Sequence, residues 1–269
     1  MNENRTGSPK IPSSAIKKAE KTICKIIINE TVNENKESIG TGFFMLVNNI
    51  IYLITNYHNI NENSINKKIT IQLFNYKKIN MKFSIRDIKY FQNLDITMIE
   101  IKNTDEIIKY IEYLEYDLNY IIGYKQYLKA ELFTAEYPKD EIEFASGKII
   151  EILYDDIYKF YEFKHNIDTE PGSSGSPIIL LHTLKVIGIH KQGDRDMNSP
   201  INYGTFIGEI FNENNNNNLM KVSSKIKDLE ISQNNYNSNV ISQSQLVEIN
   251  TFHHSSSNLI TYYFLLIHF

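Results

Sequence analysis

The stretch from Asp168 to His190 reads D-T-E-P-G-S-S-G-S-P-I-I-L-L-H-T-L-K-V-I-G-I-H. Its centre, Gly172–Pro177, places a serine between two glycines, and two apolar runs follow, separated by a turn at 182–185. A tight turn of this kind exposes a hydroxyl and directs successive backbone N–H groups to one point. A serine nucleophile with an oxyanion hole needs both features. Since Gly/Ser-rich turns also occur in β proteins without catalysis, the interpretation depends on whether the chain supplies partners.

The composition is that of a globular protein. Of 269 residues, 42% are hydrophobic and 12% aromatic, and the net charge of −4 gives no indication of nucleic-acid binding. No metal-ligand cluster, phosphate-binding loop or cofactor fingerprint is visible, so we expect neither a metal nor a cofactor. Cys24 is the only cysteine, and the N-terminus lacks the apolar segment of a secretory signal. These two features predict an intracellular protein.

Short runs rich in Ile, Phe and Tyr, separated by Asn, Lys or Gly turns, predict two sets of six strands. The first set is Cys24–Ile28, Gly42–Val47, Ile51–Thr55, Ile69–Phe74, Met81–Tyr90 and Ile96–Ile101. The second set is Glu131–Glu136, Ala145–Leu153, Tyr158–His165, Pro177–Leu181, Lys185–His190 and Tyr203–Ile207. Roughly helical spacing over Thr104–Asp117 predicts a connector. Because strands and helices do not alternate, we expect an all-β fold of two packed β-barrels or a pair of sandwiches.

The ends of the chain differ from its centre. Residues 1–13 are polar and predict a flexible leader, and 212–269 form an Asn/Ser-rich, low-complexity tail that we expect to be largely disordered. Within this tail, Leu219–Leu229 has the pattern of an amphipathic helix. The final apolar stretch, 259–269, is too short to span a bilayer, for which about 20 residues are needed. A docked strand and a membrane-surface contact both stay open, and of the two we do not expect the membrane contact.

The first candidate partner of the serine is His58, which lies just past the predicted strand Ile51–Thr55. A strand can hold a histidine at its end while the ring faces a cleft. A surface histidine in a polar loop is the ordinary alternative.

The second candidate partner is Asp95, which directly precedes the predicted strand Ile96–Ile101. A carboxylate at the start of a buried strand is costly to bury unless it is hydrogen-bonded. An imidazole N–H would provide that bond and would fix the tautomer of the ring. A turn aspartate without such a role is the alternative.

The three residues occur in the order His58, Asp95, Ser174, the first two in the first strand set and the third in the second. This is the order of the chymotrypsin-type triad, whereas subtilisin and the α/β-hydrolases use other orders. The chain resembles trypsin/chymotrypsin-like serine peptidases of the disulfide-free type, and most of all the glutamyl endopeptidases, over about Ala15 to Phe211. The resemblance is carried by G-T-G-F-F at 40–44, L-I-T-N-Y-H at 53–58, L-D-I-T-M-I at 94–99, P-G-S-S-G-S-P at 171–177 and V-I-G-I-H-K at 186–191.

The resemblance implies two six-stranded antiparallel β-barrels, at about 14–115 and 116–211, with the active site between them. It implies a serine endopeptidase that acts on protein or peptide substrates through an acyl-enzyme. Ser174 would be the nucleophile, His58 the general base and Asp95 the orienting carboxylate. The backbone N–H groups of Gly172 and Ser174 would form the oxyanion hole.

The resemblance also implies a substrate pocket. Thr169 and His190 match residues that bind an acidic P1 side chain in glutamyl endopeptidases, while Asp168 matches the aspartate that selects Lys or Arg in trypsin. We expect acidic P1 residues, with basic ones as the open alternative. The backbone from Lys191 to Gly193 would pair with the extended substrate, and Gly204 would form a further pocket wall. The other five histidines have no comparable context and are expected to be structural or exposed.

One position departs from the digestive enzymes. Residue 173 is serine, where those enzymes carry the aspartate that receives a new N-terminal amine on activation, so we do not expect activation of that kind. A different function also stays open: a non-catalytic, protease-like module could bind extended peptides in the same cleft. The oligomeric state is not indicated by the sequence.

Overall fold

The structure is a computed structural model. It describes residues 8–29, 37–64, 66–83, 86–121, 123–155, 157, 160–193 and 201–211. The tail, the Leu219–Leu229 helix and the 259–269 segment predicted above lie outside these residues.

One α-helix and thirteen strands make up the described fold. The helix α1 spans Ser13–Thr22 and begins just inside the predicted leader. The strands are β1 Ile23–Asn29, β2 Glu37–Val47, β3 Ile50–Thr55, β4 Lys68–Leu73, β5 Lys78–Met81, β6 Ile88–Phe91, β7 Ile96–Ile101, β8 Glu131–Glu136, β9 Glu143–Asp155, β10 Phe160–His165, β11 Pro177–Leu180, β12 Val186–Gly193 and β13 Asn202–Phe206. No helix in the described ranges has the length and apolar character needed to cross a membrane.

The first strand set forms one antiparallel sheet in the order β5-β4-β1-β2-β3-β7-β6. Strand β1, with the sequence I-C-K-I-I-I-N, pairs with β2 on one side and β4 on the other, and its first six residues are all buried. Four of its seven residues are isoleucine, and such β-branched side chains suit a central strand that is buried on both faces.

The second strand set closes into a barrel in the order β10-β13-β12-β11-β8-β9. Leu132 and Ile178 pack inside this barrel. Residues that alternate with them, Phe133 and Ile179, instead pack with Phe43 of β2 in the core shared by the two strand sets. The period of two along each strand therefore assigns one face to the barrel interior and the other to the interface between the sets.

The all-β prediction with two strand sets is confirmed, and the first set differs from it in one respect. The predicted strand Met81–Tyr90 is wrong: β5 ends at Met81 and β6 begins at Ile88. Arg86 lies between them, and its guanidinium bonds the Lys82 and Glu100 carbonyls and the Asp105 carboxylate. The first sheet therefore has seven strands, with β5 and β6 as separate strands at its edges.

The predicted connector at Thr104–Asp117 lies between the two strand sets, but its roughly helical spacing gives only a short 3-10 turn at Glu106–Lys109. Beyond it, the backbone pairs with both strand sets. Leu114 exchanges hydrogen bonds with Phe44 and Leu46, and Asp117 donates its N–H to the Val186 carbonyl. The connector satisfies its backbone groups on strand edges instead of within a helix.

Candidate active site

The serine turn follows the end of a long loop and leads into β11. Gly172 and Gly175 have φ angles of 106° and 93°, which side-chain-bearing residues rarely adopt. Ser176 donates both its N–H, at 3.0 Å, and its hydroxyl, at 2.6 Å, to the Ser173 carbonyl. The peptide between Ser173 and Ser174 is thereby held with its carbonyl toward Ser176, so the Ser174 N–H points the opposite way.

Two backbone N–H groups of this turn have no acceptor in the part of the chain that the structure describes, and they belong to Gly172 and Ser174. By contrast, Ser173 donates its N–H to the Glu170 carbonyl at 3.1 Å, and Gly175 donates to His190 at 3.1 Å. A pair of open donors that flank a serine can bind a negatively charged oxygen. The family resemblance assigned the oxyanion hole to the same two N–H groups, and that assignment stays a prediction.

His58 and Asp95, which lie near the ends of strands in the first sheet, are joined by two hydrogen bonds. Nδ1 of His58 lies 2.7 Å from Oδ2 of Asp95, and the His58 backbone N–H donates to Oδ1 at 2.9 Å. Asp95 has a φ of 56° between a 3-10 turn and β7, and its carbonyl accepts hydrogen bonds from the Tyr57 N–H and the Asn56 amide. The carboxylate side chain is 13% exposed and the imidazole 48%. The ring is therefore fixed at one nitrogen and open at the other.

The Ser174 hydroxyl does not bond the His58 ring. It donates instead to the Lys191 carbonyl at 3.3 Å. Lys191 lies at an irregularity of the β12–β13 ladder, between the paired residues His190 and Gln192, so its carbonyl is available for this bond.

A buried polar network that the sequence did not predict joins the serine turn to the first sheet. The Ser174 carbonyl accepts from the Thr41 N–H and from the Asn59 side-chain amide, both at 2.9 Å. The Thr41 hydroxyl donates to the Gly172 carbonyl at 2.9 Å and accepts the Tyr137 N–H at 3.0 Å. Thr55 donates to the Thr41 carbonyl at 2.8 Å. The segment 40–44 carries part of the family resemblance, but nothing in its sequence indicates contact with residues more than 130 positions away.

His190 is buried on β12, and its Nδ1 lies 3.3 Å from Nε2 of His165 on β10. Burial, with a smaller contribution from repulsion by His58, lowers the pKa of His190 to about 4. Burial also lowers the pKa of His165 well below its usual range. Both imidazoles are therefore neutral at pH 7. His165 was expected to be structural or exposed, and it is buried against the one histidine singled out for the pocket.

The other predicted pocket residues occupy different settings. The hydroxyl of Thr169 is half-buried and donates to Asn202 at 3.1 Å, and Gly193 pairs with Asn202 across the ladder. Asp168 is exposed and makes no hydrogen bond or ion pair with His190 in the described part of the chain. Gly204 pairs with His190, and a side chain at its position would meet the Phe163 ring at 2.5 Å.

Glu136, at the end of β8, is a buried carboxylate beneath the serine turn. It is 3% exposed, and its Oε2 has no hydrogen-bond partner among the described residues. Burial raises its pKa to about 7, and repulsion from Glu143 and Asp168 adds to the increase, while the Ser173 hydroxyl and the Glu170 N–H oppose it. In sequence, Glu136 looked like an ordinary strand-end residue.

Within the described ranges, no three His, Cys, Asp or Glu side chains converge to form a site that could hold a metal ion.

A closed six-stranded barrel carries the glycine-flanked serine turn and packs on a second antiparallel sheet, which carries the histidine–aspartate pair. This arrangement defines the class of trypsin-like folds. A family model described as the trypsin-like peptidase domain matches residues 40–189, which is more than half of the chain. The chain therefore belongs to the trypsin-like peptidase domain family, whose members are serine peptidases of proteins and peptides. No curated protein sequence matches the chain.

Solved structures show the same fold at low identity. The Rv3671c protease of M. tuberculosis in its active form is 18% identical, with a TM-score of 0.56, over 78% of this chain and 91% of that one. Its inactive form gives a TM-score of 0.54 at 18% identity over 76% and 94% of the two chains. The HtrA-type protease AlgW, solved with a tripeptide, is 12% identical, with a TM-score of 0.55, over 73% of this chain and 60% of that one.

Proposed function

We propose that this protein is a serine endopeptidase that hydrolyses peptide bonds through an acyl-enzyme. The observation that carries the proposal is the His58–Asp95 pair, which is joined by two hydrogen bonds. Asn59, the next residue in sequence, donates a side-chain hydrogen bond to the backbone carbonyl of Ser174. The proposed base His58 and the proposed nucleophile Ser174 are thus linked through Asn59, the residue that follows the base. A module that only binds peptides has no physical need for an oriented imidazole at this place.

In the proposed reaction, Ser174 Oγ attacks the scissile carbonyl carbon and its proton passes to Nε2 of His58. The oxygen of the tetrahedral intermediate would bind the N–H groups of Gly172 and Ser174. His58 then gives its proton to the leaving amine as the peptide bond breaks, and water hydrolyses the ester in the reverse sequence. Asp95 accepts a hydrogen bond from the Nδ1–H group of His58 throughout, which keeps Nε2 free to receive the proton from serine.

The Ser174 hydroxyl must first leave the Lys191 carbonyl. An extended substrate would add as an antiparallel strand along Lys191–Gly193 and would present a backbone N–H to that carbonyl. Once the substrate N–H occupies the Lys191 carbonyl, the hydroxyl is free to turn toward His58. Substrate binding and activation of the nucleophile would then be linked by one acceptor.

A fluorophosphonate probe tests the proposal, because it forms a covalent bond only with an activated serine. We expect labelling of the wild-type chain at Ser174, located by mass spectrometry of the digested adduct, and no labelling of Ser174→Ala. A folded wild-type protein that never reacts would overturn the proposal. That result would favour the non-catalytic peptide-binding module.

For substrate choice, we propose a preference for Glu or Asp at P1, as in the glutamyl endopeptidases that the sequence resembles. The contact between His190 and His165 supports it through the tautomer that it favours. Nδ1 of His165 is buried without a partner among the described residues, and an unpaired N–H is costlier there than an unpaired lone pair. His165 therefore carries its proton on Nε2 and donates it to Nδ1 of His190. Nε2 of His190 is left as an N–H donor, which can bind a carboxylate without becoming charged.

A peptide library with the P1 residue varied tests this preference. We expect Glu and Asp to be favoured, with the preference lost in His190→Ala while cleavage after other residues continues. A preference for Lys or Arg would overturn the proposal and assign the selection to Asp168.

A further inference from the structure

Asn59 directly follows the proposed base His58, and its side chain reaches the proposed nucleophile. Its Nδ2 atom donates to the Ser174 carbonyl at 2.9 Å and to the Thr55 hydroxyl at 3.1 Å. The orientation of the amide is not ambiguous. The Ser174 carbonyl can only accept a hydrogen bond, and the Thr55 hydroxyl already donates its proton to the Thr41 carbonyl.

Three elements hold this amide in place. Thr55, at the end of β3, is completely buried and supplies the second acceptor. Gly40 on β2 lies against the flat side of the amide, where an added Cβ would be 2.5 Å from Nδ2 and 2.7 Å from Cγ. Gly175 leaves space on the other side, since its missing Cβ would lie 3.2 Å from Nδ2. A side chain with a fixed rotamer and two acceptors is suited to position other groups.

The contact joins backbones that the fold delivers independently. His58 is held beside the first sheet by Asp95, while Ser174 belongs to a turn of the second strand set, 115 residues after Asn59. The Ser174 hydroxyl in this structure bonds Lys191 and not His58, so no direct bond between the base and nucleophile side chains sets their separation. Hydrogen bonds to backbone groups connect the segments of the base and the nucleophile instead. Asn59 makes the one that lies nearest to His58 in sequence.

We propose that Asn59 is a positioning residue that ties the backbone of the base to the backbone of the nucleophile and sets their alignment. This inference rests on the proposed peptidase function. Misplacement of reacting groups by about 1 Å can cost on the order of 100-fold in rate. Asn59→Ala and Asn59→Asp should therefore lower kcat by roughly 10- to 100-fold and change KM little, because Asn59 touches the enzyme's own backbone and not the substrate.

Asn59→Asp adds a readout that a loss of fold would not produce. An ionised carboxylate at this position would place an acceptor against the Ser174 carbonyl, whereas a protonated carboxyl group can donate an O–H to it. The ratio of variant to wild-type labelling by a fluorophosphonate should therefore rise as the pH falls from 7 to 5. Taking the ratio at each pH cancels the pH effects that both proteins share.

The matched control is Asn63→Asp, the same change at an exposed position of the same loop, which should behave as wild type at every pH. A further variant, Gly40→Ala, displaces the amide without altering Asn59. It should lower kcat in the wild-type background and have little effect in Asn59→Ala, because the two changes remove one contact.

The outcomes separate this inference from the proposed function. A wild-type protein without labelling refutes the function itself. A labelled wild type with Asn59→Ala and Asn59→Asp equally active overturns the positioning role. If Asn59→Ala does not fold, the pH ratio of Asn59→Asp decides, and a flat ratio or an unfolded Asn59→Asp variant assigns Asn59 to folding alone.

Discussion

His58 presents its ring and its own backbone N–H to the two oxygens of a single carboxylate, with Nδ1 2.7 Å from Oδ2 of Asp95 and the N–H 2.9 Å from Oδ1. The two oxygens of the Asp95 carboxylate therefore have separate roles. Oδ1 fixes where the chain carrying the imidazole lies, and Oδ2 fixes which ring nitrogen holds the proton. The pair thus controls both position and tautomer.

Replacing Asp95 with asparagine should change the tautomer of the His58 ring and leave the position of the His58 backbone unchanged. The backbone N–H of His58 requires an oxygen at the Oδ1 position, so the new NH₂ group would face Nδ1 of His58. That nitrogen must then accept, and the ring proton moves to Nε2, where it blocks proton transfer from Ser174. We expect kcat to fall on the order of 10⁴-fold, measured by hydrolysis of a peptide substrate.

Asp87→Asn is the control, because that carboxylate is 58% exposed and lies 4.0 Å from Lys89. It should leave kcat and KM unchanged. An Asp95→Asn enzyme within tenfold of wild type would mean that the carboxylate does not set the tautomer.

Gly175→Ala should destabilise the fold and stop activity. The added Cβ would contact the Thr41 carbonyl, lie 2.6 Å from the Thr55 hydroxyl, and sit on a residue with φ of 93°. A strained φ alone costs about 1–3 kcal/mol, and the contact adds to it. Since 1 kcal/mol corresponds to roughly 2–4 °C for a domain of about 200 residues, Tm should fall by about 5 °C or more in a thermal melt.

Gly123→Ala separates the two contributions. Gly123 has a φ of 154°, and among the described residues, its chain neighbours aside, no atom lies within 4 Å of the position of its missing Cβ. It should lower Tm less than Gly175→Ala does and should keep activity. Equal losses in the two variants would show that the approach of Thr41 and Thr55 to Gly175 has no energetic consequence.

Glu136 should make the folded state less stable as the pH rises. Its pKa is raised from 4.5 to about 7 in the fold, so between these values the unfolded chain releases a proton that the folded chain retains. Stability from this group therefore falls as the pH increases from about 4.5 and levels off above 7. Each pKa unit corresponds to about 1.4 kcal/mol, so the total is on the order of 3 kcal/mol.

Glu136→Gln removes the titration, and the Tm of this variant relative to wild type should increase between pH 5 and pH 8. Glu131→Gln on the same strand is the control, since that carboxylate is 53% exposed and pairs with Lys148 at the surface. Its Tm difference should stay flat with pH. A flat difference for Glu136→Gln as well would contradict the raised pKa.

The sequence predicted the strand sets and brought forward His58, Asp95 and Ser174 because each stands at a visible change of pattern. Each lies at a strand boundary or within a glycine-flanked turn, and these signals are local. The structure confirms the two strand sets and places His58 against Asp95.

The supporting residues could not be found in the same way. Asn59 is one asparagine in an asparagine-rich chain, and its partner Ser174 is 115 positions away. Glu136 ends a strand like any exposed glutamate, and its burial beneath the serine turn is visible only in the folded chain. His165 becomes informative only once β10 and β12 bring its ring within 3.3 Å of His190. Contacts made by long-range packing leave no local pattern.

His165 should control the proposed acidic P1 preference without touching the substrate. His165→Phe keeps an aromatic ring beside Phe163 but removes the N–H that Nδ1 of His190 accepts. His190 can then place its own proton on Nδ1, which turns Nε2 into an acceptor that repels a carboxylate. Hydrogen bonds to charged groups contribute about 1.5–3 kcal/mol, so the ratio of kcat/KM for Glu over Gln at P1 should fall roughly 10- to 100-fold. His182→Phe, in the turn before β12, is the control and should keep the wild-type ratio, whereas an unchanged ratio in His165→Phe would show that His165 does not set the tautomer of His190.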